Sequence, residues 1–313
     1  MRILITGGKG NLGGRLAAAL VARGDAVTLF DVTDTPKEDF PELGECRTVV
    51  GDISDRESLD AAFAEEGFDS IVHLAALLSA EAETDLERAW RVNMDGTRNV
   101  LEAAVQFDVG RVVFTSTVAS FGTGLPEPVS VDAPQWPVSF YGAAKVAGER
   151  LGAYYGQRFG VDFRGLRLPA VTASRGAGGG ASAYCSQLYV DAVQKGAYEF
   201  YLQPSTGTAV IYIDDAVRAL VGLHDVAEGD LRRRVYQVNG VSPTAGEMAA
   251  AVLAVMPDVR FTYELDPVRD GIVQSWPRRL DDTESTRDWG WRSELDLAEM
   301  TGRMLAALRA EGE

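Results

Sequence analysis

The sequence of 313 residues predicts a doubly wound α/β fold, in which helices cover both faces of a parallel sheet, with a smaller C-terminal lobe. Three observations support this prediction. Short β-rich apolar segments alternate with helical segments through about two-thirds of the chain, a glycine-rich turn joins the first strand to the first helix, and polar residues follow several strands directly. Because ligands of such folds bind outside the carboxyl ends of the strands, we expect the functional site at that edge.

The first strand is predicted at residues 2–6, and the glycine-rich stretch 7–14 separates it from a helix that reaches Ala22. Gly7, Gly10 and Gly13 are spaced to allow a tight turn, close approach of the backbone to a pyrophosphate, and close packing of helix on strand. The helix N-terminus offers unpaired N–H groups to phosphates. A glycine triplet alone also fits an ordinary turn, so the next strand decides between these interpretations.

The second strand, at residues 26–30, ends in Asp31, which lies 18 residues after Gly13. A carboxylate at this position can accept hydrogen bonds from the ribose hydroxyls of a bound dinucleotide, and it would repel a 2′-phosphate. The sequence therefore predicts NAD as the cofactor, in preference to NADP.

Further strands are predicted at 46–50, 70–74, 111–114 and 162–168. Ser54 and Glu57 have the spacing of a capping box for the helix that follows them. One long helix is predicted at about 85–107, and another follows a Gly- and Pro-rich loop at 122–137 and ends near Phe159. The carboxyl ends of the strands are expected to bring together Gly7, Asp31, Asp52, Ala75, Ser79 and Thr117.

The last third of the chain predicts the smaller lobe. A glycine-rich flexible loop at 176–180 precedes a helix that ends near Lys195, residues 210–213 form a strand that leads into a helix, and Thr244 and Glu247 form a capping box. We predict an NAD-binding domain at 1–168, completed by about 209–240 through a strand and helix that return to the main sheet. The substrate lobe is predicted at 169–208 and 241–313.

Tyr141 and Lys145 are the strongest candidates for catalysis. They stand four residues apart in a predicted helix, so their side chains are neighbours on one face. A nearby cation favours the ionised form of a phenol, which makes such a tyrosine usable as a base. The two residue types also occur by chance at this spacing on surface helices. The other motifs of the chain favour a catalytic role for this pair.

Composition limits the class of protein. The chain is 46% apolar and 24% charged, which is typical of globular domains, and no apolar run could span a bilayer or serve as the core of a signal peptide, so we expect a cytoplasmic protein. The formal net charge of −16 opposes binding to nucleic acid or anionic membranes. Cys46 and Cys185 predict no disulfide framework, and with only His73 and His224 we predict no metal site and structural roles for both histidines.

Five motifs together resemble the extended short-chain dehydrogenase/reductase superfamily, whose NAD-binding domain is of the Rossmann type. They are Thr6-Gly7-Gly8-x-Gly10-x-x-Gly13, Asp52-Ile53, His73-Leu74-Ala75-Ala76, Asn93-Met94-x-Gly96-Thr97 and Tyr141-xxx-Lys145. A narrower resemblance, to the short-chain type of L-threonine 3-dehydrogenase, covers almost the whole chain. It is carried by segments such as Leu77-Leu78-Ser79-Ala80, Tyr212-Ile213-Asp214-Asp215, Asp266-Pro267-Val268-Arg269, Ser275-Trp276-Pro277 and Asp288-Trp289-Gly290-Trp291.

The resemblance implies a role for each catalytic candidate. Tyr141 would take the proton of the substrate hydroxyl, and Lys145 would lower the pKa of Tyr141 and hold the nicotinamide ribose. Thr117 would orient the substrate oxygen, with Ser116 as a second donor, although both hydroxyls could instead satisfy backbone groups at the strand end. Asn93 would hold a proton-relay water or pin its helix to the sheet, and these two roles are equally well supported.

The resemblance also implies binding residues and a homodimer formed through the helices around 85–107 and 140–159. The residues implied for NAD are Gly7, Gly10, Asn11, Leu12, Gly13, Asp31, Asp52, Ile53, Leu74, Ala75, Ala76, Tyr141, Lys145 and Pro169. Those implied for the substrate are Ser79, Thr117, Tyr141, Arg175, Ser182 and Trp276. Two of these have a structural alternative, since Asp52 could serve a turn instead of contacting adenine, and Ser79 could cap a helix.

Two departures from the threonine enzymes concern the substrate. Those enzymes carry Thr-Thr-Asp after the glycine triplet, where this chain has Ala181-Ser182-Ala183, and an aspartate in the preceding loop, where this chain has Arg175. A desolvated substrate ammonium needs an acceptor or a negative partner. We therefore predict NAD-dependent oxidation of a small hydroxy acid. The substrate is either L-threonine, oxidised to 2-amino-3-ketobutyrate with Ser182 supplying the needed contact, or a hydroxy or sugar acid without the amine, or a larger β-hydroxy amino acid.

Two other functions stay open at this point. A nucleotide-sugar epimerase or dehydratase would share the whole cofactor apparatus, but the segment 166–171 lacks the asparagine that those enzymes usually carry. A non-enzymatic sensor of the cofactor would share the fold. The set Thr117, Tyr141 and Lys145 argues against a sensor, since it need not keep a base beside the nicotinamide.

Overall fold

A computed structural model describes residues 1–36, 41–175 and 180–310. Residues 176–179 of the predicted glycine-rich loop lie outside this part. The strands, β1 to β11 in chain order, are Arg2–Thr6, Ala26–Asp31, Arg47–Val50, Ser70–His73, Arg111–Thr117, Asp162–Leu168, Ala170–Thr172, Ala197–Phe200, Val210–Tyr212, Val235–Gln237 and Arg260–Tyr263. The α-helices, α1 to α12, are Asn11–Ala22, Arg56–Glu65, Ser79–Thr84, Leu86–Ala89, Gly96–Gln106, Phe140–Phe159, Tyr184–Lys195, Ile213–Asp225, Ala245–Leu253, Pro267–Gln274, Thr283–Trp289 and Leu297–Ala310.

The described strands include a seven-stranded parallel sheet with the order β10-β6-β5-β4-β1-β2-β3. The strand order reverses beside β1, between the series that runs through β2 and β3 and the series that begins with β4. This reversal is the position at which doubly wound folds bind dinucleotides. The predicted fold class is confirmed.

Packing on the two faces follows the alternation of side chains along each strand. Ile3 and Ile5 pack in one core with residues of α1 and α8, whereas Leu4 belongs to the core on the opposite face, with residues of α2 and α5. A third core joins α7, β8, α9 and α12 around residues such as Tyr184 and Phe200. The sheet is therefore covered on both sides, and the third core also includes Val118, Phe121 and Val129 from the first half of the chain.

Three local predictions need correction. Helix α2 is capped by Asp55, whose carboxylate accepts from the Glu57 N–H, because Asp55 directly precedes the first helical residue; Ser54 instead donates to Asp52 Oδ1. Strand β9 pairs with β7 in a separate two-stranded sheet, and it is β10 that joins the main sheet beside β6. The capping box at Thr244 and Glu247 is confirmed.

The third correction concerns the long helix predicted at 85–107. Helix α4 ends at Ala89, the backbone of Trp90–Asp95 forms a π-helical segment, and α5 begins at Gly96. Such segments are rare and often lie at functional sites. This one contains Asn93.

His224 is buried and makes two hydrogen bonds: its Nε2 lies 2.9 Å from Ser70 Oγ, and its Nδ1 lies 2.7 Å from Asp225 Oδ1. The order Ser-His-Asp resembles that of a hydrolase triad. Ser70, however, is fully buried at the amino end of β4 and lies away from the edge where ligands bind. His224 is thus a structural residue, as predicted.

His73 is buried at the end of β4, with Nδ1 2.7 Å from Thr6 Oγ1 and Nε2 3.2 Å from Thr97 Oγ1. Burial, assisted by the Lys145 charge, lowers the pKa of His73 to about 3. The unfolded chain, with an ordinary histidine pKa near 6.5, therefore binds more protons than the folded chain between these values. Stability contributed by neutral His73 is present above pH 6.5 and is lost as the pH falls.

We expect the unfolding free energy to fall by about 2 kcal/mol between pH 6.5 and pH 5 because of His73. The measurement is urea unfolding at several pH values for the wild type and for His73→Gln. The variant should show a shallower pH slope in this range, whatever its absolute stability. Equal slopes would mean that His73 titrates normally in the folded protein.

Candidate active site

A cavity of about 560 Å³ lies at the carboxyl ends of the strands. All residues that the sequence predicts for cofactor binding line it: Gly7, Gly10, Asn11, Leu12, Gly13, Asp31, Asp52, Ile53, Leu74, Ala75, Ala76, Tyr141, Lys145 and Pro169. Thr117, Ser79, Ser182 and Trp276 line the same cavity. One concave site therefore contains the glycine turn, the acidic end of β2 and the Tyr141 pair.

The glycine turn leaves no room for side chains. Gly7 has a φ of +71°, and a Cβ there would stand 2.8 Å from the Ala75 backbone nitrogen. A Cβ on Gly13 would stand 2.3 Å from the Gly7 carbonyl oxygen. Because the backbone itself forms this wall, the first turn of α1 can approach a pyrophosphate closely. The residues present fit NAD.

Two carboxylates lie at the other end of the cofactor region. Asp31 Oδ2 accepts from the Lys9 backbone N–H at 2.9 Å, which fixes the carboxylate at the end of β2. Asp52 Oδ1 accepts from the N–H and the hydroxyl of Ser54, each at 2.8 Å. Asp52 thus stabilises a turn, which is the alternative role considered from the sequence, and it also lines the cavity.

Tyr141 lies in the first turn of α6, which Ser139 caps through the Gly142 N–H. Thr117, at the end of β5, lines the same cavity, and its hydroxyl oxygen accepts from the Ala119 N–H at 3.2 Å. Burial raises the pKa of Tyr141 to about 12, and the nearby Thr117 hydroxyl opposes this rise. The two hydroxyls that the sequence predicts to share the substrate oxygen therefore belong to one cavity.

Lys145 lies one turn further along α6 and is 4% exposed. Its Nζ donates to the Thr115 carbonyl oxygen at 2.7 Å and stands 5.7 Å from the centre of the Tyr141 ring. Burial lowers the pKa of Lys145 to about 7, although the Glu149 carboxylate favours the charged form. The predicted lowering of the Tyr141 pKa by Lys145 is not found in the protein alone, because burial of the phenol dominates.

Ser116 has a different partner from the one predicted. Successive residues of β5 alternate in direction, and the Ser116 hydroxyl donates to Glu149, which is fully buried. Glu149 also binds Arg167 through two hydrogen bonds of 2.8 and 2.7 Å. Ser116 thus lines the cavity, but its hydroxyl is engaged in this buried ion-pair network.

Asn93 is also committed to the backbone. Its Oδ1 accepts from the Leu77 N–H at 2.8 Å, and its Nδ2 donates to the Leu77 carbonyl oxygen at 3.0 Å. Asn93 does not appear among the residues that line the cavity. This geometry favours the pinning role over the water-holding role.

The predicted substrate residues separate into two groups. Ser79 is the first residue of α3 and does not cap it; its Oγ accepts from the Ala181 N–H at 3.0 Å, so the capping alternative is wrong. Ser182 and Trp276 line the cavity on the lobe side. Arg175 is exposed and does not line the cavity, and its carbonyl oxygen accepts from Asn11 Nδ2. The Arg175 carbonyl oxygen thus contacts Asn11, which lines the cavity.

Several residues that the sequence did not identify also line the cavity. They include Val32, Thr33, Leu77, Leu78, Glu81, Arg88, Thr115, Gly180, Ala183 and Ser186. Val32 and Thr33 directly follow Asp31, and Thr115 directly precedes Ser116, so the strand ends indicated these neighbours. Glu81 and Arg88 form an ion pair of 3.2 Å at the cavity, and the spacing of these two residues in the sequence did not predict this pair.

This arrangement of glycine turn, acidic strand end and Tyr–Lys pair defines a dinucleotide-binding enzyme of the doubly wound class. The model of the "NAD dependent epimerase/dehydratase family" matches residues 3–238, and the chain belongs to this family. The predicted resemblance, the NAD cofactor and the assignment as an NAD-dependent oxidoreductase are confirmed.

Comparison with individual proteins shows similarity to L-threonine dehydrogenases. The chain is 38% identical over 308 residues to the mitochondrial L-threonine 3-dehydrogenase of Sus scrofa, covering 97% of this chain and 82% of the relative. The crystal structure of L-threonine dehydrogenase from Phytophthora infestans is 35% identical, with a TM-score of 0.92 over 99% of this chain and all of that chain. A monomeric L-threonine 3-dehydrogenase from a metagenome, 31% identical, has a TM-score of 0.93 over the same shares.

Asp31 provides a direct test of cofactor preference. Asp31→Ser should weaken NAD binding by about tenfold and reduce the discrimination against NADP, because the carboxylate both accepts from the ribose and repels a 2′-phosphate. Dissociation constants for NADH and NADPH, measured by fluorescence titration, check this. Asp34→Ser, which removes an exposed carboxylate three residues away, is the matched control. If Asp31→Ser leaves the ratio of the dissociation constants for NADH and NADPH unchanged, Asp31 does not determine the cofactor preference.

Within the described residues, no helix is long and apolar enough to cross a membrane. The same part of the chain holds no group of three or more His, Cys, Asp or Glu side chains arranged to bind a metal ion.

Proposed function

We propose that this chain oxidises the hydroxyl group of a small β-hydroxy acid with NAD as the hydride acceptor, and that L-threonine is its reference substrate. The observation that carries this proposal is that Tyr141, Thr117 and Lys145 line one cavity, which also contains the glycine turn. The named relatives that act on L-threonine support it, since the chain matches one of them over nearly its whole length.

The proposed roles follow from position. Bound NAD would supply the acceptor for the hydride. Thr117 orients the substrate oxygen toward Tyr141, and Tyr141 removes its proton as the general base. Lys145, anchored on the Thr115 carbonyl, would hold the nicotinamide ribose, and its charge, together with that of the oxidised cofactor, would favour the phenolate.

Substrate binding is proposed to involve Ser79, Ser182 and Trp276. Ser79 Oγ already accepts from the Ala181 N–H, so its own hydroxyl hydrogen is available to an oxygen of the substrate. Residues 180–183 contain one hydroxyl, that of Ser182, and no carboxylate. This composition favours, as a second candidate, a hydroxy acid or sugar acid without an amine.

The experiment is NADH formation by the purified protein with L-threonine, L-allo-threonine, 3-phenylserine, 3-hydroxybutyrate and four-carbon aldonates. Efficient turnover of L-threonine would establish threonine oxidation. Turnover of the amine-free acids alone would establish the second candidate. Purified protein that retains NAD and is inert toward the whole panel would reject both in favour of an epimerase or dehydratase.

We also propose that the protein forms a homodimer through the surface of α4 to α6. Leu86, Trp90 and Tyr154 are each more than half exposed there, which is unusual for large apolar side chains. The monomeric metagenomic relative indicates that the fold itself does not require pairing. Light scattering coupled to gel filtration distinguishes a mass of one chain from a mass of two.

A further inference from the structure

The substrate side of the cavity depends on one short backbone segment, residues 180–183. Gly180, Ser182 and Ala183 line the cavity, and the Ala181 side chain is fully buried behind them. Both backbone polar groups of Ala181 are hydrogen-bonded. Its N–H donates to Ser79 Oγ at 3.0 Å, and its carbonyl oxygen accepts from the Tyr201 hydroxyl at 2.8 Å. The position of Ser182 is thus set between Ser79 and Tyr201.

Tyr201 holds this segment at a second point. Its hydroxyl oxygen also accepts from the Tyr184 N–H at 3.1 Å, so one phenol spans the segment from Ala181 to the start of α7. Both hydrogen-bonding capacities of the phenol are therefore directed at the backbone of the cavity wall.

Tyr201 is also connected to the segment that carries Trp276. Its carbonyl oxygen accepts from the Asp266 N–H at 3.0 Å, and Asp266 caps helix α10. The guanidinium of Arg269, in the first turn of α10, lies 3.3 Å from the centre of the Tyr201 ring. Helix α10 leads directly into Trp276, which lines the cavity. Tyr201 is thus bonded both to the segment that carries Ser182 and to the helix that precedes Trp276.

We propose that Tyr201 is a positioning residue that fixes the wall formed by residues 180–183 against Ser79 and so sets the affinity for substrate, but not for NAD. This inference rests on the proposed function, because it assumes that Ser79, Ser182 and Trp276 contact substrate. Tyr201 itself is not among the residues that line the cavity. It acts through the backbone that it holds.

The test is Tyr201→Phe, which removes the hydroxyl and keeps the ring beneath Arg269. The KM for the hydroxy acid should rise about fivefold or more, while the KM for NAD changes less than about twofold, because hydrogen bonds to the substrate wall alone are lost. Hydrogen exchange of the Ala181 and Tyr184 amides should be at least about fivefold faster.

Tyr189→Phe is the matched control. Tyr189 is fully buried in the same lobe, and its hydroxyl is 3.1 Å from Thr301 Oγ1, away from the cavity. It loses a comparable hydrogen bond, so it reports any general loosening of the lobe. Arg269→Gln, which keeps the phenol and removes the guanidinium above it, should shift the substrate KM in the same direction by a smaller factor.

Equal effects of Tyr201→Phe and Tyr189→Phe on the substrate KM and on the two amides would overturn the proposal. If Tyr201→Phe does not fold, an unchanged substrate KM in Arg269→Gln overturns it. If the wild type oxidises none of the hydroxy acids, the proposed function fails. The exchange rates of Ala181 and Tyr184 then still decide whether Tyr201 holds the wall.

Discussion

Replacing Tyr141 by phenylalanine is expected to lower kcat/KM about 10³-fold, because the substrate hydroxyl then loses its general base. Binding of NADH should change less than about threefold, since the glycine turn and Asp31 are untouched and the phenylalanine ring preserves the shape of the site. Steady-state kinetics and a fluorescence titration with NADH measure the two quantities separately.

Tyr154→Phe is the control for this experiment. Tyr154 lies on the same helix and is 54% exposed, so removal of its hydroxyl should leave turnover unchanged. Undiminished turnover in Tyr141→Phe would reject the tyrosine base while leaving the fold and the cofactor site intact. Lost turnover together with lost NADH binding would instead indicate a general collapse of the cavity.

The largest expected loss of stability comes from Arg164→Leu. Arg164 is fully buried in β6; it binds Asp162 through Nε at 3.0 Å and Nη2 at 2.6 Å. Its Nη1 donates to three carbonyl oxygens at the end of α8, those of Leu223, His224 and Val226. A guanidinium here satisfies both a buried carboxylate and the unpaired carbonyls of a helix terminus.

We expect Arg164→Leu to lower the unfolding free energy by about 3–5 kcal/mol, because it leaves buried acceptors without a donor. Denaturant unfolding measures this, with Arg303→Leu as the control, since Arg303 is exposed on α12. Arg164 does not line the cavity, so the folded fraction of the variant should keep its kcat. A loss below about 1 kcal/mol would show that Arg111 and Arg234, which also bind Asp162, suffice.

The sequence predicted the cavity well wherever the relevant signal is local. The glycine turn, Asp31 and the Tyr141 pair each follow from a strand end or a helical spacing, and the parallel sheet brings strand ends to one edge. Strands β1 and β6 have the predicted bounds.

The partners of polar side chains were predicted less well, because they come from distant parts of the chain. The Ser116 hydroxyl binds Glu149, 33 residues later, and Ser79 binds Ala181, 102 residues later. Tyr201 was not identified at all, although it holds the cavity wall. A tyrosine in an unremarkable loop carries no periodic or motif signal, and only the packing of the lobe shows its role.

The choice between two roles for Asn93 was likewise a matter of geometry. Either role requires an amide near the cavity, so residue type alone could not distinguish them. The π-helical segment Trp90–Asp95 turns the amide onto the Leu77 backbone, where both of its polar atoms are used. Periodicity could not predict this segment, because an uninterrupted helix fits the same apolar pattern.

This π-helical segment also affects how the region can be compared or redesigned. It accommodates one residue more than an α-helix of the same length, so a helical wheel drawn through 86–106 misplaces one half by about 100° relative to the other. Sequence alignments that forbid gaps inside helices will therefore shift one half by a position. A designer who deletes one residue to regularise the helix would keep the hydrogen-bonded backbone but rotate Asn93 away from Leu77. The π-helical segment thus determines which residues of this helical region face the cavity and which face the exposed surface.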